Sequence, residues 1–270
     1  MVSPHLRTPA RILCLALSSA VLLAGATPVL LHDPRPASPV QHLTQAERAE
    51  AGRLISWLRT WEAGNRRLNA LYGLPAGQRY DHLGALTQRD VQFTLVAPWR
   101  SARPERLTLV DLGKGEGMQY LVVFGEGTRR EVWYLRPTTN FSLCVIRQVY
   151  ALRDVDLNGR RELAFVIACG DNAQRSSSLL MLEFTASGAQ MEALRFQEDN
   201  EVWPEGGQVR GGFQMLLKVE KGPTPRYTAQ TLRRYGAFYF PAVHAYKVPP
   251  VGQAVVVKPE PQKLEFLRFK

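Results

Sequence analysis

The chain has 270 residues, with 34 lysines and arginines against 24 aspartates and glutamates, and a formal net charge of +10. That length can bury one large core or two modest ones. The charge is scattered in pairs such as Arg66-Arg67, Arg129-Arg130, Arg160-Arg161 and Arg233-Arg234 rather than massed in one block, which leaves no specific nucleic-acid signal. No Gly-x-Ser-x-Gly, His-Glu-x-x-His, Cys-x-x-Cys or Walker loop is present, so the usual enzyme signatures are missing.

At the N-terminus, Arg7 and Arg11 precede an apolar stretch over 12–24 that is short for a membrane span. Ala24-Gly25-Ala26 supplies the small residues of a cleavage site. The expectation is a signal peptide over 1–26 and a mature, secreted or periplasmic chain starting at Thr27, with no transmembrane span after cleavage. Residues 1–26 hold two arginines and no acid, so the remainder carries +8. That balance favours an anionic partner, a cell-surface polymer or lipid headgroups. Residues 27–42, with Pro28, Pro34, Pro36 and Pro39, read as an extended linker.

A helical segment is expected next, within 43–90. Thr44-Gln45-Ala46-Glu47 is a capping-box pattern. Leu54, Leu58, Trp61, Leu68 and Tyr72 recur at helical spacing and predict an apolar stripe over about 44–72. Gly64 is a candidate break, and Gly73 a natural stop.

From residue 91 to 270 the pattern is that of a β domain. Candidate strands are 91–96, 106–111, 119–125, 130–135, 141–152, 163–169, 178–185, 191–196, 208–219, 225–233, 238–247 and 264–268, most of them separated by glycine- and proline-containing turns. Along 163–169 both alternating sets are apolar, which predicts a strand buried on both faces. Residues 248–262 are proline-rich and are expected to wrap the surface. The fold class is therefore mainly β, with antiparallel hairpins and an N-terminal helical segment.

Cys14 lies inside the apolar leader, so cleavage would leave Cys144 and Cys169. An even cysteine count in an exported chain favours a disulfide between them. A ring of this size is worth roughly 3 kcal/mol in the chain-entropy model. If 141–152 and 163–169 form one hairpin, the two cysteines fall near each other but out of register, and a bulge or diagonal pairing is needed to close the gap.

Between those strands stands Asp154-Val155-Asp156-Leu157-Asn158-Gly159-Arg160-Arg161-Glu162. Oxygen side chains occupy loop positions 1, 3, 5 and 9, and Gly159 permits the sharp turn that aims them inward. The spacing suits a hard cation, Ca²⁺, held by Asp154, Asp156, Asn158, the backbone carbonyl of Arg160, and Glu162 directly or through water. It is not an EF-hand, because Phe165 stands where that loop needs glutamate and a strand follows instead of a helix.

The loop with the Leu163 that follows resembles the calcium loop of FG-GAP repeats, the blades of integrin-type β-propellers. It follows that family's Asp-x-Asp/Asn-x-Asp/Asn-Gly-x-x-Asp-Leu core, with Glu162 in place of the usual aspartate. The resemblance implies the same ligands: Asp154, Asp156, Asn158, the Arg160 carbonyl and Glu162. A degenerate copy over 111–121 keeps only Asp111 and Glu116 as acids and is not expected to bind metal. No third loop is convincing, so a compact domain with propeller-like hairpins is expected rather than a closed propeller.

The expected function is that of an exported non-enzymatic protein with a calcium-stabilised β domain that binds an anionic surface or polymer. A metal-assisted hydrolase of an anionic polymer, drawing on the loop acids and His244, and a structural envelope protein are the alternatives.

Overall fold

The computed structural model describes residues 27–35, 43–64, 86–112, 118–137, 144–170, 174–202, 209–236 and 248–269. The expected leader over 1–26, residues 113–117 of the degenerate loop copy and the expected strand over 238–247, with His244, lie outside the described residues.

Two antiparallel sheets carry the fold. The smaller has five strands in the order β14-β5-β4-β3-β2. They are β2 (Val91–Pro98), β3 (Pro104–Asp111), β4 (Tyr120–Phe124), β5 (Glu131–Pro137) and β14 (Leu264–Phe269). The larger has nine. Seven run in the order β12-β11-β10-β9-β8-β7-β6, while β1 pairs with β10 and β13 pairs with β9. Its strands are β1 (Val29–His32), β6 (Cys144–Ala151), β7 (Leu163–Gly170), β8 (Gln174–Phe184), β9 (Ala189–Val202), β10 (Val209–Glu220), β11 (Arg226–Gly236), β12 (Ala254–Val257) and β13 (Glu260–Gln262).

The two-residue period of a strand sorts side chains between separate cores. In β4, Tyr120, Val122 and Phe124 face the larger sheet, while Leu121 and Val123 face the helix. In β5, Trp133 and Leu135 take the first face, and Val132 and Tyr134 the second. The inter-sheet core is aromatic: Phe124 lies 5.2 Å from Phe184, and Tyr120 lies 5.7 Å from Phe165, ring centre to ring centre. Each fully buried side chain of this size stabilises the fold by roughly 1.5–3 kcal/mol.

Helix α1 (Gln45–Gly64) lies on the outer face of the smaller sheet through Leu54, Ile55 and Leu58. Its start carries the reciprocal bonds of a capping box: the Glu47 amide donates to Thr44 Oγ1 at 3.2 Å, and the Thr44 amide donates to the Glu47 carboxylate at 2.7 Å. The expected continuation to Tyr72 lies outside the described residues.

In the larger sheet, Leu163, Phe165 and Ile167 of β7 enter the inter-sheet core, and Ala164 and Val166 enter a third cluster on the other side. That third cluster also takes Phe213, Met215 and Leu217 from β10 and Ala229 from β11, so the sheet folds over its own outer face. Two segments differ from expectation. Val29–His32, inside the expected linker, is a strand paired with β10. Residues 254–257 and 260–262, inside the expected surface wrap, are the strands β12 and β13.

Candidate metal centre

The loop from Leu152 to Glu162 joins β6 to β7 and is fastened on three sides. Leu152 N–H donates to the Glu162 carbonyl at 2.8 Å, which closes its base. Arg161 N–H donates to the Pro98 carbonyl at 2.8 Å, tying it to β2. Lys221 Nζ donates to the Asp154 carbonyl at 2.8 Å, tying it to the β10–β11 turn. Val155 is buried beneath it.

Gly159 has φ +84° and Leu157 φ +61°. The left-handed region costs a glycine little and a leucine more, so the tight wrap is held by other contacts. Those contacts are visible. Asp154 accepts from the Asn158 and Gly159 amides at 3.0 and 2.8 Å, and Asp156 accepts from the Asn158 amide at 3.3 Å. Both carboxylates are thereby aimed into the loop.

Asp154, Asp156 and Glu162 each have a carboxylate oxygen within 4.8 Å of the others. Glu162 is only 6% exposed. Its Oε1 accepts from the Val155 amide at 3.3 Å, and its Oε2 is buried with no hydrogen-bond partner among the described residues. Burial, opposed by the Val155 amide and reinforced by the neighbouring Asp156 and Asp154, raises its pKa to about 7. Burial also raises Asp156, helped by the charge of Glu183.

One of the five expected donors, Asn158, is engaged within the loop, and the Arg160 carbonyl keeps its expected role. Asn158 Oδ1 is occupied by the Arg160 amide at 2.9 Å, and its Nδ2 bridges Asp156 and Glu183 at 2.6 and 2.8 Å. Arg160 turns its guanidinium to Glu183 in an ion pair, so its charge points away and its main-chain carbonyl stays the expected donor. So three carboxylates converge, and the asparagine braces them.

Residues that the loop spacing did not reveal complete the surroundings. The β7–β8 ladder ends with Leu163 opposite Leu182, and Glu183 stands one residue beyond, alongside Glu162. Glu183, Glu192 and Tyr227 line a cleft of about 310 Å³ that also reaches Asp156 and Glu162. Burial, then the charge of Glu183, raises the Glu192 pKa. A lone glutamate at the end of the apolar run Leu179-Leu180-Met181-Leu182 was the one available sequence signal for Glu183. Among the described residues no histidine lines this cleft.

The donor set is all oxygen and anionic, with a desolvated carboxylate oxygen that no protein group satisfies. A bound cation would pair with these oxygens and cancel their mutual repulsion. The acids could hold a metal ion. A scan of protein-family models and searches of curated proteins and of solved structures give no match to this chain.

Proposed function

We propose that the chain is an exported, non-enzymatic β module, stabilised by calcium at Asp154, Asp156 and Glu162, that binds an anionic surface polymer. One observation carries the metal half: a buried Glu162 carboxylate, with one oxygen unpartnered among the described residues, stands within reach of two other carboxylates. Calcium tolerates irregular shells of six to eight oxygens, so the Arg160 carbonyl and water can complete what three acids begin. The likeness of 154–163 to the FG-GAP loop supports the choice of ion. The disulfide between Cys144 and Cys169 supports an oxidising compartment.

The polymer half rests on charge. The net +8 outside residues 1–26 favours polyanions, while the acidic cleft at Glu183 and Glu192 repels them. The same repulsion weighs against the cleft as a site for hydrolysing an anionic polymer. Calorimetric titration of the full chain with calcium chloride, before and after a chelator, tests the metal. Co-sedimentation with anionic and neutral polymers at physiological salt tests the partner. Saturable calcium binding and selective co-sedimentation with polyanions are expected. Absence of the first removes the metal, and absence of the second removes the partner.

A further inference from the structure

A second cleft, of about 640 Å³, lies on the outer face of β6, β7 and β8. On β7 the residues turned to this face are Val166, Ala168 and Gly170, while Phe165 and Ile167 enter the inter-sheet core. The ladders fix what stands beside them. Val145 on β6 is opposite Ala168, which is opposite Ser177 on β8, which is opposite Gln197 on β9. Arg175 on β8 is opposite Gly170. The small residues at 168 and 170 leave a trough along β7, because nothing larger than a methyl group rises from its centre there.

Arginines flank the trough. Arg175 borders it on one side. Arg147 borders it on the other, and Arg147 is the extra residue at the irregularity in β6 between Ile146 and Gln148. A bulge of this kind re-aims a side chain that a regular strand would send to the other face. Both arginines are exposed, and neither has an ion pair among the described residues. Asp199 stands opposite Arg175 on the next strand, but it is exposed, does not pair with it and does not line the cleft. Ser177 and Gln197 add neutral donors along the same row. Phe196 and Val166 give an apolar floor, and His32, held neutral by burial, adds a ring without a charge.

We infer that this trough binds a phosphodiester polymer, with phosphates held by Arg147 and Arg175 and the linking polyol lying over Ala168 and Gly170. The inference rests on the polyanion reading above and names the site and chemistry for it. Guanidinium groups grip phosphate oxygens through paired N–H donors, and serine and glutamine supply the neutral donors that a tetrahedral oxyanion can also use. The trough is open rather than enclosed, which suits an extended polymer better than a small molecule. The acidic cleft belongs to other residues entirely, so the cation and the polymer do not compete.

The test uses the full-length protein at 150 mM salt with three probes: poly(glycerol phosphate), glycerol and polygalacturonate. Saturable binding of poly(glycerol phosphate) is expected, with none for glycerol and at least about tenfold weaker binding of the carboxylated polymer. Arg147→Gln and Arg175→Gln should each weaken phosphate-polymer binding about tenfold, as expected for losing a charge-assisted hydrogen bond. Arg147→Lys should fall between, since it keeps the charge and loses the paired geometry. The exposed Arg226→Gln, on another strand, should bind as the natural chain does. An unchanged melting midpoint confirms that the variants fold. If the natural chain binds the phosphate polymer and Arg147→Gln/Arg175→Gln binds it equally, the trough is not the site, although the polyanion reading survives. If both polymers bind equally and both need the two arginines, the phosphate assignment fails. If the natural chain binds neither polymer, the polyanion reading and this inference fall together.

Discussion

Cys144 and Cys169 face each other directly across the β6–β7 ladder, with Cα atoms 4.0 Å apart, because β6 carries one residue more than its partner. Near the loop the register pairs Ala151 with Leu163 and Gln148 with Val166. Continued without interruption it would carry Cys144 past Cys169 to Gly170. Arg147 is left unpaired, and beyond it Ile146 meets Ile167 and the cysteines align. The bulge that the hairpin needed is a single arginine.

Deleting Arg147 should therefore leave the disulfide intact, since the remaining residues form a regular ladder with the same pairs. Intact mass without reductant checks this. Replacing both cysteines, by contrast, should lower stability by about 3 kcal/mol, the chain-entropy value for a ring of this size. That is a melting shift of roughly 6–12 °C for a domain of this length.

His32 should make the fold acid-sensitive. It is 7% exposed, its ring centre lies 4.4 Å from that of Phe196, and burial lowers its pKa from 6.5 to about 4. The unfolded chain then binds the proton more readily than the folded one. The stabilising effect is complete above pH 6.5 and fades as pH falls toward 4, by at most roughly 3 kcal/mol. His32→Phe should flatten that part of the pH–stability curve, measured by denaturant titration at pH 7 and pH 4.5.

Glu131 should be the most sensitive charged residue of the smaller sheet. It accepts from Arg100 at 2.6 Å and from Trp133 Nε1 at 2.7 Å, and it pairs with Arg268 of β14. Arg100 also lies 4.1 Å over the Phe124 ring. Glu131→Ala leaves two part-buried guanidinium groups short of a partner. Because the pairs are part-exposed, the expected loss is about 2 kcal/mol, below the value for a fully buried pair. A loss under about 0.5 kcal/mol in denaturant titration would contradict it.

Glu162→Gln should have opposite effects with and without calcium. Without the ion it removes a desolvated carboxylate set against two others, so the midpoint should rise. With the ion it removes a ligand, so the calcium-dependent gain should shrink. Differential scanning calorimetry in chelator and in calcium reads both.

Strand positions were legible because their alternation is strong and glycine or proline marks the turns. The eight strands from Val91–Pro98 to Ala189–Val202 fall on expected segments, as do Val209–Glu220, Arg226–Gly236 and Leu264–Phe269. The first of the larger sheet's strands was hidden. Val29–His32 is four residues long, follows Pro28, and pairs with residues nearly 190 positions away, so no local pattern reveals it. Residues 254–257 and 260–262 were hidden by Pro259 and Pro261, which an edge strand tolerates. At the candidate metal centre, spacing located Asp154, Asp156 and Glu162. It could not foresee that Asn158 spends its oxygen on the Arg160 amide, nor that Glu183 and Glu192 arrive from other strands.

The central claim is that Asp154, Asp156 and Glu162 hold a calcium ion that stabilises the fold, and the melting midpoint tests it most directly. An ion bound only by the folded chain adds about 2.7 kcal/mol at a hundredfold excess over Kd, several degrees for a domain of this size. Calcium should raise the midpoint of the natural chain, a chelator should lower it, and magnesium should do less because it demands a tighter octahedral shell. Asp156→Ala should abolish the difference while leaving the calcium-free midpoint nearly unchanged. A midpoint that ignores both calcium and chelator would contradict the account and leave the loop a polar turn.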